Sequence, residues 1–234
     1  MPEVVFLPGF MQHADTWSPI AAAVGERYPV KLLDFTTWTF EQRLAEIDAA
    51  AGPDSVLVGY SMGGRLALHA ALRARLAGLV VLGASAGIED ARERRRRREA
   101  DDELAEWIES HSIEDLVDRW EQNPVFASQS PELVKAQRSG RLDHDPAKLA
   151  QLLRSAGQGA LAPIWDRLGT LTMPVMAMAG EKDPTYIEAA KKLAAAMQGS
   201  DPVVRVVEGC GHGAHLEAPD AVAREILEFL RALG

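Results

Sequence analysis

Hydrophobic residues along the chain fall into six short runs that are apolar throughout rather than alternating with polar residues. Such runs, rich in Val, Leu and Ile, are typical of strands that a parallel sheet buries on both faces. They predict strands at residues 4–9, 30–35, 55–61, 78–85, 174–180 and 202–209. Segments with helical periodicity lie between most of them, at about 16–26, 39–51, 62–76, 185–198 and 218–233. This alternation predicts an α/β fold, with a mostly parallel central sheet and helices on both faces.

The stretch between the fourth and fifth predicted strands breaks this rhythm. From Ile88 to Leu168 the chain is charged and helix-like, and no convincing strand is found in it. Structureless loops of that length are uncommon in compact domains. We therefore predict a helical cap at residues 88–168, inserted into a core formed by residues 1–87 and 169–234.

A serine between two glycines stands where the third predicted strand gives way to a helix. The segment Gly59-Tyr60-Ser61-Met62-Gly63 matches the pattern G-x-S-x-G. After a strand and before a helix, that pattern forms a sharp turn that projects the serine hydroxyl above the sheet. The alternative is a glycine-rich turn without chemistry. We favour Ser61 as a catalytic residue.

A serine hydroxyl is barely acidic, so it needs a histidine base that a carboxylate orients. His212 follows the last predicted strand and stands between two glycines, where a loop can return over the sheet; His215 is its competitor. Asp183 follows the fifth predicted strand, and Glu181 is a weaker candidate there. Asp183 could instead only cap the next helix. The order serine, acid, histidine nevertheless favours Ser61, Asp183 and His212 as a catalytic triad.

A reaction that develops negative charge on oxygen needs backbone N–H donors near the serine. The amide of Met62 follows Ser61 and begins a helix, so it points toward the place where such charge would form. A second donor should come from the loop after the first strand, where Phe10 is the candidate. These two amides form a predicted oxyanion hole.

Composition and charge narrow the classes of partner. The chain has 234 residues with 47% hydrophobic content, which suffices for one α/β domain with an insertion. A formal net charge of −9 argues against nucleic acid or an anionic membrane as partner. The single cysteine, Cys210, excludes an internal disulfide, and neither a signal peptide nor an apolar run of about 18 residues is found. We expect a cytoplasmic protein that uses no metal and no other cofactor.

These features together resemble the α/β-hydrolase superfamily over essentially the whole chain. Several stretches are more closely similar to the 2-succinyl-6-hydroxy-2,4-cyclohexadiene-1-carboxylate synthases of menaquinone biosynthesis. They include "VGYSMGGRLAL", "WEQNPVFASQ", "VKAQRSGRL", "GEKD" and "GHGAHLEAP". The resemblance implies a carbon–oxygen lyase that eliminates pyruvate from 2-succinyl-5-enolpyruvyl-6-hydroxy-3-cyclohexene-1-carboxylate.

The same resemblance implies contacts between the cap and a substrate that carries several carboxylates. It points to Arg97 and Arg138 as carboxylate ligands, a role that suits the planar fork of arginine. It places Trp120 over the substrate ring and Tyr60 beside the serine. Arg65, one helical turn after the serine, could face the mouth of the pocket.

The resemblance also implies how the central residues would act. Ser61 would remove a proton from the ring while His212 and Asp183 take up the serine proton. The amides of Phe10 and Met62 would hold the succinyl carbonyl as charge develops on it.

Less specific interpretations of these residues stay open. The arginine run from Arg92 to Arg98 could be a solvated helix face paired with acids one turn away. Trp120 could belong to the core of the cap, and Arg65 could lie on the surface of its helix. For the whole protein, the alternatives are a carboxylesterase or carbon–carbon bond serine hydrolase acting on a small acidic substrate, or a receptor that only binds a ligand.

Overall fold

Six strands form the central sheet of the computed structural model, which describes all 234 residues. In chain order they are β1 (Glu3–Leu7), β2 (Val30–Leu32), β3 (Ser55–Tyr60), β4 (Gly78–Leu82), β5 (Val175–Gly180) and β6 (Val203–Val207). Their order across the sheet is β2-β1-β3-β4-β5-β6, and every neighbouring pair is parallel. The predicted α/β fold and all six predicted strands are confirmed.

Ten helices surround the sheet. They are α1 (Ser18–Gly25), α2 (Phe40–Ala50), α3 (Met62–Ala71), α4 (Ala91–Glu109), α5 (Ile113–Glu121), α6 (Pro131–Leu142), α7 (Pro146–Ala156), α8 (Pro184–Ala196), α9 (Ala214–Glu217) and α10 (Pro219–Ala232). None of them combines the length and the apolar composition that a bilayer-crossing helix requires.

Helices cover both faces of the sheet because successive strand residues point to opposite sides. In β1, Val5 and Leu7 belong to one apolar layer, while Val4 and Phe6 belong to the other. The first layer includes residues of α2, α3 and α8, and the second includes residues of α1 and α10. Burial on both faces explains why the strands are apolar throughout.

Helices α4 to α7 lie between β4 and β5 in the chain, where the sequence predicts a cap. Each begins at a side chain that accepts a hydrogen bond from a backbone N–H of its first turn: Asp90, Ser112, Ser130 and Asp145 respectively. Buried residues of α4, α5 and α7, together with Met11, form a third, smaller apolar cluster. The exact boundaries of core and cap stay a prediction.

The junction of β3 and α3 holds Ser61 in a backbone conformation that L-residues rarely adopt, with φ 50° and ψ −108°. The flanking glycines are required by close backbone packing. A Cβ at Gly59 would lie 2.4 Å from the carbonyl oxygen of Gly63, and a Cβ at Gly63 would lie 2.4 Å from that of Leu7. The turn can therefore project the serine only because Gly59 and Gly63 lack side chains.

Two histidines lie in the interior without hydrogen-bond partners for their ring nitrogens, His144 and His215. Burial lowers the pKa of His144 to about 4 and that of His215 to about 3. Both imidazoles are therefore neutral in the folded protein near neutral pH. The unfolded chain takes up their protons near pH 6.5, so both groups make stability fall as the pH drops below that value.

The close packing at the serine turn predicts that Gly59→Ala lowers the free energy of unfolding by about 2–3 kcal/mol, because its Cβ meets rigid backbone. Urea unfolding monitored by circular dichroism measures the change. Gly52→Ala is the matched control, since a Cβ there meets no atom within 4 Å. Equal stability of the two variants would contradict this account of the turn.

Burial of His215 predicts that His215→Phe makes the protein less sensitive to acid. Between pH 7 and pH 4.5 the variant should lose roughly 2 kcal/mol less of its free energy of unfolding than the wild type. Urea unfolding at the two pH values measures this difference. The control is His111→Phe, which removes an imidazole that is already exposed in the folded protein.

Candidate active site

Ser61, His212 and Asp183 form a hydrogen-bonded row at the carboxyl ends of β3, β5 and β6. Nδ1 of His212 lies 2.7 Å from Oδ2 of Asp183, and Nε2 of His212 lies 3.2 Å from Oγ of Ser61. Because the carboxylate can only accept, Nδ1 carries the proton and the Nε2 lone pair faces the serine. His212 and Asp183 are buried, at 6% and 8% exposure. This is the geometry in which an imidazole can take a proton from a serine hydroxyl.

Asp183 has both of the roles that the sequence left open. Its Oδ1 accepts a hydrogen bond of 3.3 Å from the backbone N–H of Tyr186 and so caps α8, while Oδ2 binds His212. The competing acid, Glu181, is exposed, and its carboxylate accepts from the backbone N–H of Gly209. The hydrogen bond from the Tyr186 N–H therefore fixes the direction in which Asp183 orients the histidine.

His215 lies outside this row. Its ring packs against Tyr60 at a centroid distance of 4.1 Å and against Trp17 at 4.7 Å. It makes no hydrogen bond to Ser61, and burial keeps it neutral. Of the two candidate histidines, only His212 is placed next to the serine.

Two backbone amides are available where an oxyanion would form. The amide of Met62 is the first of α3 and has no intrahelical acceptor. The amide of Phe10 also has no acceptor within the protein. Its loop is shaped by a 3.1 Å hydrogen bond from the N–H of Gly9 to Oε1 of Gln12, and by Met11, whose φ is 55°. The same loop contributes Gln12 to the lining of the cavity over Ser61, and sequence analysis did not identify this residue.

A cavity of about 310 Å³ opens over the serine, between the sheet and the cap helices. Its charged lining consists of three arginines and one aspartate. The other lining residues are aromatic, aliphatic or neutral polar groups. The residues with side chains relevant to binding are Phe10, Gln12, Tyr60, Arg65, Arg97, Asp101, Trp120, Phe126, Arg141, Gln158 and Tyr186.

Arg65 lies at the floor of the cavity on α3, one turn after the serine, and is 9% exposed. Its Nη1 donates a hydrogen bond of 2.7 Å to the carbonyl oxygen of Ala156 at the end of α7. Burial lowers the pKa of its guanidinium to about 10, so it remains charged near neutral pH. Arg65 makes no direct salt bridge, and the Asp101 carboxylate, which binds Arg97, acts on the Arg65 charge from a longer distance.

Arg97 lines the cavity from α4, and the buried carboxylate of Asp101 binds its guanidinium. Its Nε donates to Oδ1 of Asp101 at 2.8 Å, and Asp101 is 3% exposed. Oδ2 of Asp101 accepts a further hydrogen bond from the N–H of Gly159. The i,i+4 pairing expected of a solvated helix is therefore present, and the Arg97 side chain lines the cavity as well.

The second predicted cap arginine, Arg138, lies outside the lining of this cavity. Its guanidinium pairs with Asp118 at 2.6 Å and Glu121 at 2.8 Å. Arg141, one turn later on α6, lines the cavity and is 4% exposed. It also pairs with Glu121, at 3.1 Å. Arg141 is therefore a further candidate ligand from this helix, and the role predicted for Arg138 stays a prediction.

Aromatic rings form much of the remaining wall. Trp120 packs against Phe10 at a centroid distance of 5.4 Å and against Phe126 at 5.6 Å, so it covers the loop that carries the Phe10 amide. Tyr60 is 3% exposed beneath His212, at 5.2 Å. Both positions agree with a cavity that receives a flat ring, and both residues also pack as a core would.

Besides Gln12, sequence analysis missed three residues of the cavity lining: Arg141, Gln158 and Tyr186. The pair of arginines in "QRSGR" indicated that two guanidinium groups lie near each other on one helix, without deciding which one turns inward. Tyr186 follows Asp183 by three residues, so the first turn of α8 brings it to the same edge of the sheet. Nothing local marks Gln158. No group of three or more His, Cys, Asp or Glu side chains is arranged to hold a metal ion.

Comparison with known proteins agrees with this arrangement. The family model described as the alpha/beta hydrolase family matches residues 4–225. A 2-succinyl-6-hydroxy-2,4-cyclohexadiene-1-carboxylate synthase from Salmonella newport (strain SL254) is 28% identical over 248 aligned positions, which cover 98% of this chain and 94% of that protein. A Bacillus subtilis (strain 168) protein that provisionally carries the same name is 32% identical over 182 positions, covering 76% of this chain and 66% of that protein.

The three-dimensional similarity extends over the cap as well as the sheet. The solved structure of MenH from S. aureus superimposes with a TM-score of 0.91 at 28% sequence identity, covering 99% of this chain and 94% of the other. A likeness of that extent includes the serine turn, the histidine loop and the inserted helices. The chain thus belongs to the α/β-hydrolase family and is similar, within it, to the 2-succinyl-6-hydroxy-2,4-cyclohexadiene-1-carboxylate synthases.

Proposed function

We propose that the protein eliminates pyruvate from 2-succinyl-5-enolpyruvyl-6-hydroxy-3-cyclohexene-1-carboxylate and so acts as a carbon–oxygen lyase in menaquinone biosynthesis. The observation that carries the proposal is the set of three guanidinium groups, of Arg65, Arg97 and Arg141, lining one cavity over Ser61. This substrate has three carboxylates, on its ring, its succinyl chain and its enolpyruvyl group. Similarity to the named synthases supports the same assignment.

The charges of the cavity suit a polyanion although the whole protein has a net charge of −9. Asp101 is the one carboxylate in the lining, and its oxygens already bind Arg97 and a backbone N–H. Arginine can form two parallel hydrogen bonds with a carboxylate, and such charge-assisted bonds are about twice as strong as neutral ones. A substrate with several carboxylates would therefore gain affinity from the arginine side chains of this cavity.

The proposed reaction moves electrons along the ring and needs no bond to the enzyme. Ser61 removes the proton from C2, next to the succinyl carbonyl, and its own proton passes to Nε2 of His212. The C3=C4 double bond shifts to C2=C3, and a C4=C5 double bond forms as the C5–O bond breaks. The leaving enolpyruvate takes up a proton and becomes pyruvate, which leaves the 2,4-diene of the product.

The backbone donors would lower the barrier to that proton removal. Loss of the C2 proton places negative charge on the succinyl carbonyl oxygen, and the amides of Phe10 and Met62 are available to bind it. Asp183 holds His212 in the tautomer that can accept the serine proton. The resulting imidazolium lies against the Asp183 carboxylate, which stabilises its charge.

The proposal predicts pyruvate release when the protein meets the enolpyruvyl substrate, measured by reducing the pyruvate with NADH. Ser61→Ala should reduce kcat roughly a thousandfold or more, because the group that removes the proton is gone. Ser18→Ala is a control that should keep the wild-type kcat. Ser18 is the exposed first residue of α1 and does not line the cavity. Failure of the wild-type protein to release pyruvate would refute the proposed function.

A serine hydrolase of small acidic esters or carbon–carbon bonds is the second candidate. The strained Ser61 and its 3.2 Å hydrogen bond to His212 favour it, because the same pair can activate a covalent nucleophile. Rapid turnover of neutral aryl esters and labelling of Ser61 by a phosphonate probe would support the hydrolase over the lyase.

The positions of the two α6 arginines predict different effects for two residues one turn apart. Arg141→Ala should raise KM for the enolpyruvyl substrate about 10- to 100-fold, the effect of losing charge-assisted hydrogen bonds to a carboxylate. Arg138→Ala is the matched control and should change KM little, because its guanidinium pairs with Asp118 and Glu121 outside the cavity. Steady-state kinetics measure both. The reverse result would favour Arg138, the ligand that the sequence predicts.

A further inference from the structure

Tyr186 lies where three features of the site meet, and the mechanism above gives it no role. It belongs to the first turn of α8, and its backbone N–H donates to Asp183, the residue that orients His212. Its ring packs against the ring of His212 at a centroid distance of 4.5 Å and an angle of 41°. Its side chain lines the cavity over Ser61. The Tyr186 hydroxyl is therefore near the reacting groups and outside the catalytic row.

The cap fixes the direction of the Tyr186 hydroxyl through Gln158. Nη1 of Arg97 donates to Oε1 of Gln158 at 3.3 Å, and Nε2 of Gln158 donates to the hydroxyl oxygen of Tyr186 at 2.8 Å. A guanidinium can only donate, so the amide oxygen of Gln158 must face Arg97 and its NH₂ must face the tyrosine. Tyr186 consequently accepts this bond, and its own hydrogen points elsewhere.

The hydrogen of the Tyr186 hydroxyl has no acceptor within the protein. Tyr186 makes one side-chain hydrogen bond, the one that it accepts from Gln158. Tyr186 lines the same cavity as Arg65 and Arg97. A donor left free in a cavity with these arginines suits an anionic oxygen of a ligand.

We propose that Tyr186 is a specificity-determining residue whose hydroxyl donates a hydrogen bond to a substrate carboxylate held by Arg65 and Arg97. Gln158 is its positioning residue, because it occupies the tyrosine oxygen and leaves the hydrogen for the ligand. The inference rests on the proposed function insofar as the substrate is a polycarboxylate. One substrate carboxylate would thus be recognised by Tyr186 from the core and by Arg97 from the cap, and Arg97 also orients Gln158.

Tyr186→Phe tests the hydroxyl alone, because the ring that packs on His212 is kept. Tricarballylate, a flexible tricarboxylate, serves as the probe in isothermal titration calorimetry at low ionic strength. The variant should bind it roughly tenfold more weakly than the wild type, the effect of one hydrogen bond to a charged group. KM for the enolpyruvyl substrate should rise by a similar factor with kcat unchanged.

Tyr28→Phe is the matched control, since Tyr28 packs on the opposite face of the sheet and its variant should bind tricarballylate like the wild type. Gln158→Met should weaken binding through Tyr186, so its effect and that of Tyr186→Phe should be non-additive in the double variant. Additive losses would overturn the role of Gln158. Unfolding midpoints of all variants show whether each one is folded.

The outcomes separate this inference from the proposed function. Wild-type protein that binds tricarballylate but releases no pyruvate would refute the lyase and leave the calorimetric comparison to decide on Tyr186. Equal affinity of Tyr186→Phe and wild type would overturn the inference, as would a wild type that does not bind tricarballylate. A fall in kcat with unchanged affinity would also overturn it, because Tyr186 would then act only by packing against His212.

Discussion

The buried hydrogen bond between Asp183 and His212 is the interaction on which the arrangement of the site depends. It joins the loops after β5 and β6 at a distance of 2.7 Å, inside the protein, where water competes little for either group. The same carboxylate caps α8, so the direction of that helix, the tautomer of His212 and the position of Tyr186 share one origin. Ser61 is supplied independently, by a glycine-enforced turn at the end of β3.

The positions of Ser61, Asp183, His212 and the two candidate amides were predictable because each depends on local sequence at a strand end. A parallel sheet brings the carboxyl ends of its strands to one edge, so the residues after the third, fifth and sixth strands had to be neighbours. Gly59 and Gly63 marked the turn because only glycine fits there. Asp183 was ambiguous between a helix cap and a catalytic acid, and the structure shows why local sequence could not separate them: its two oxygens do both.

The cap was predictable as a set of helices and not as a set of contacts. Arg138 and Arg141 differ by about 60° around their helix, and which one turns inward depends on how α6 packs rather than on its own sequence. The acids Asp118 and Glu121, which hold Arg138 outside, come from α5. Gln158 lies after the last cap helix, and its role follows only from contacts to Arg97 and Tyr186.

The walls of the cavity, more than the triad, distinguish elimination from hydrolysis. A serine, histidine and aspartate in this geometry can accept a proton from a substrate carbon or activate the serine for attack, and the amides stabilise an oxyanion in either reaction. Arg65 is buried and has no carboxylate within salt-bridge distance, and this burial lowers its pKa to about 10. A neutral ester would bring no negative charge to the three arginines of the cavity while excluding water from them, which costs free energy. A polycarboxylate would bring negative charge to these arginines, so the electrostatics of the cavity favour the substrate class of the proposed lyase.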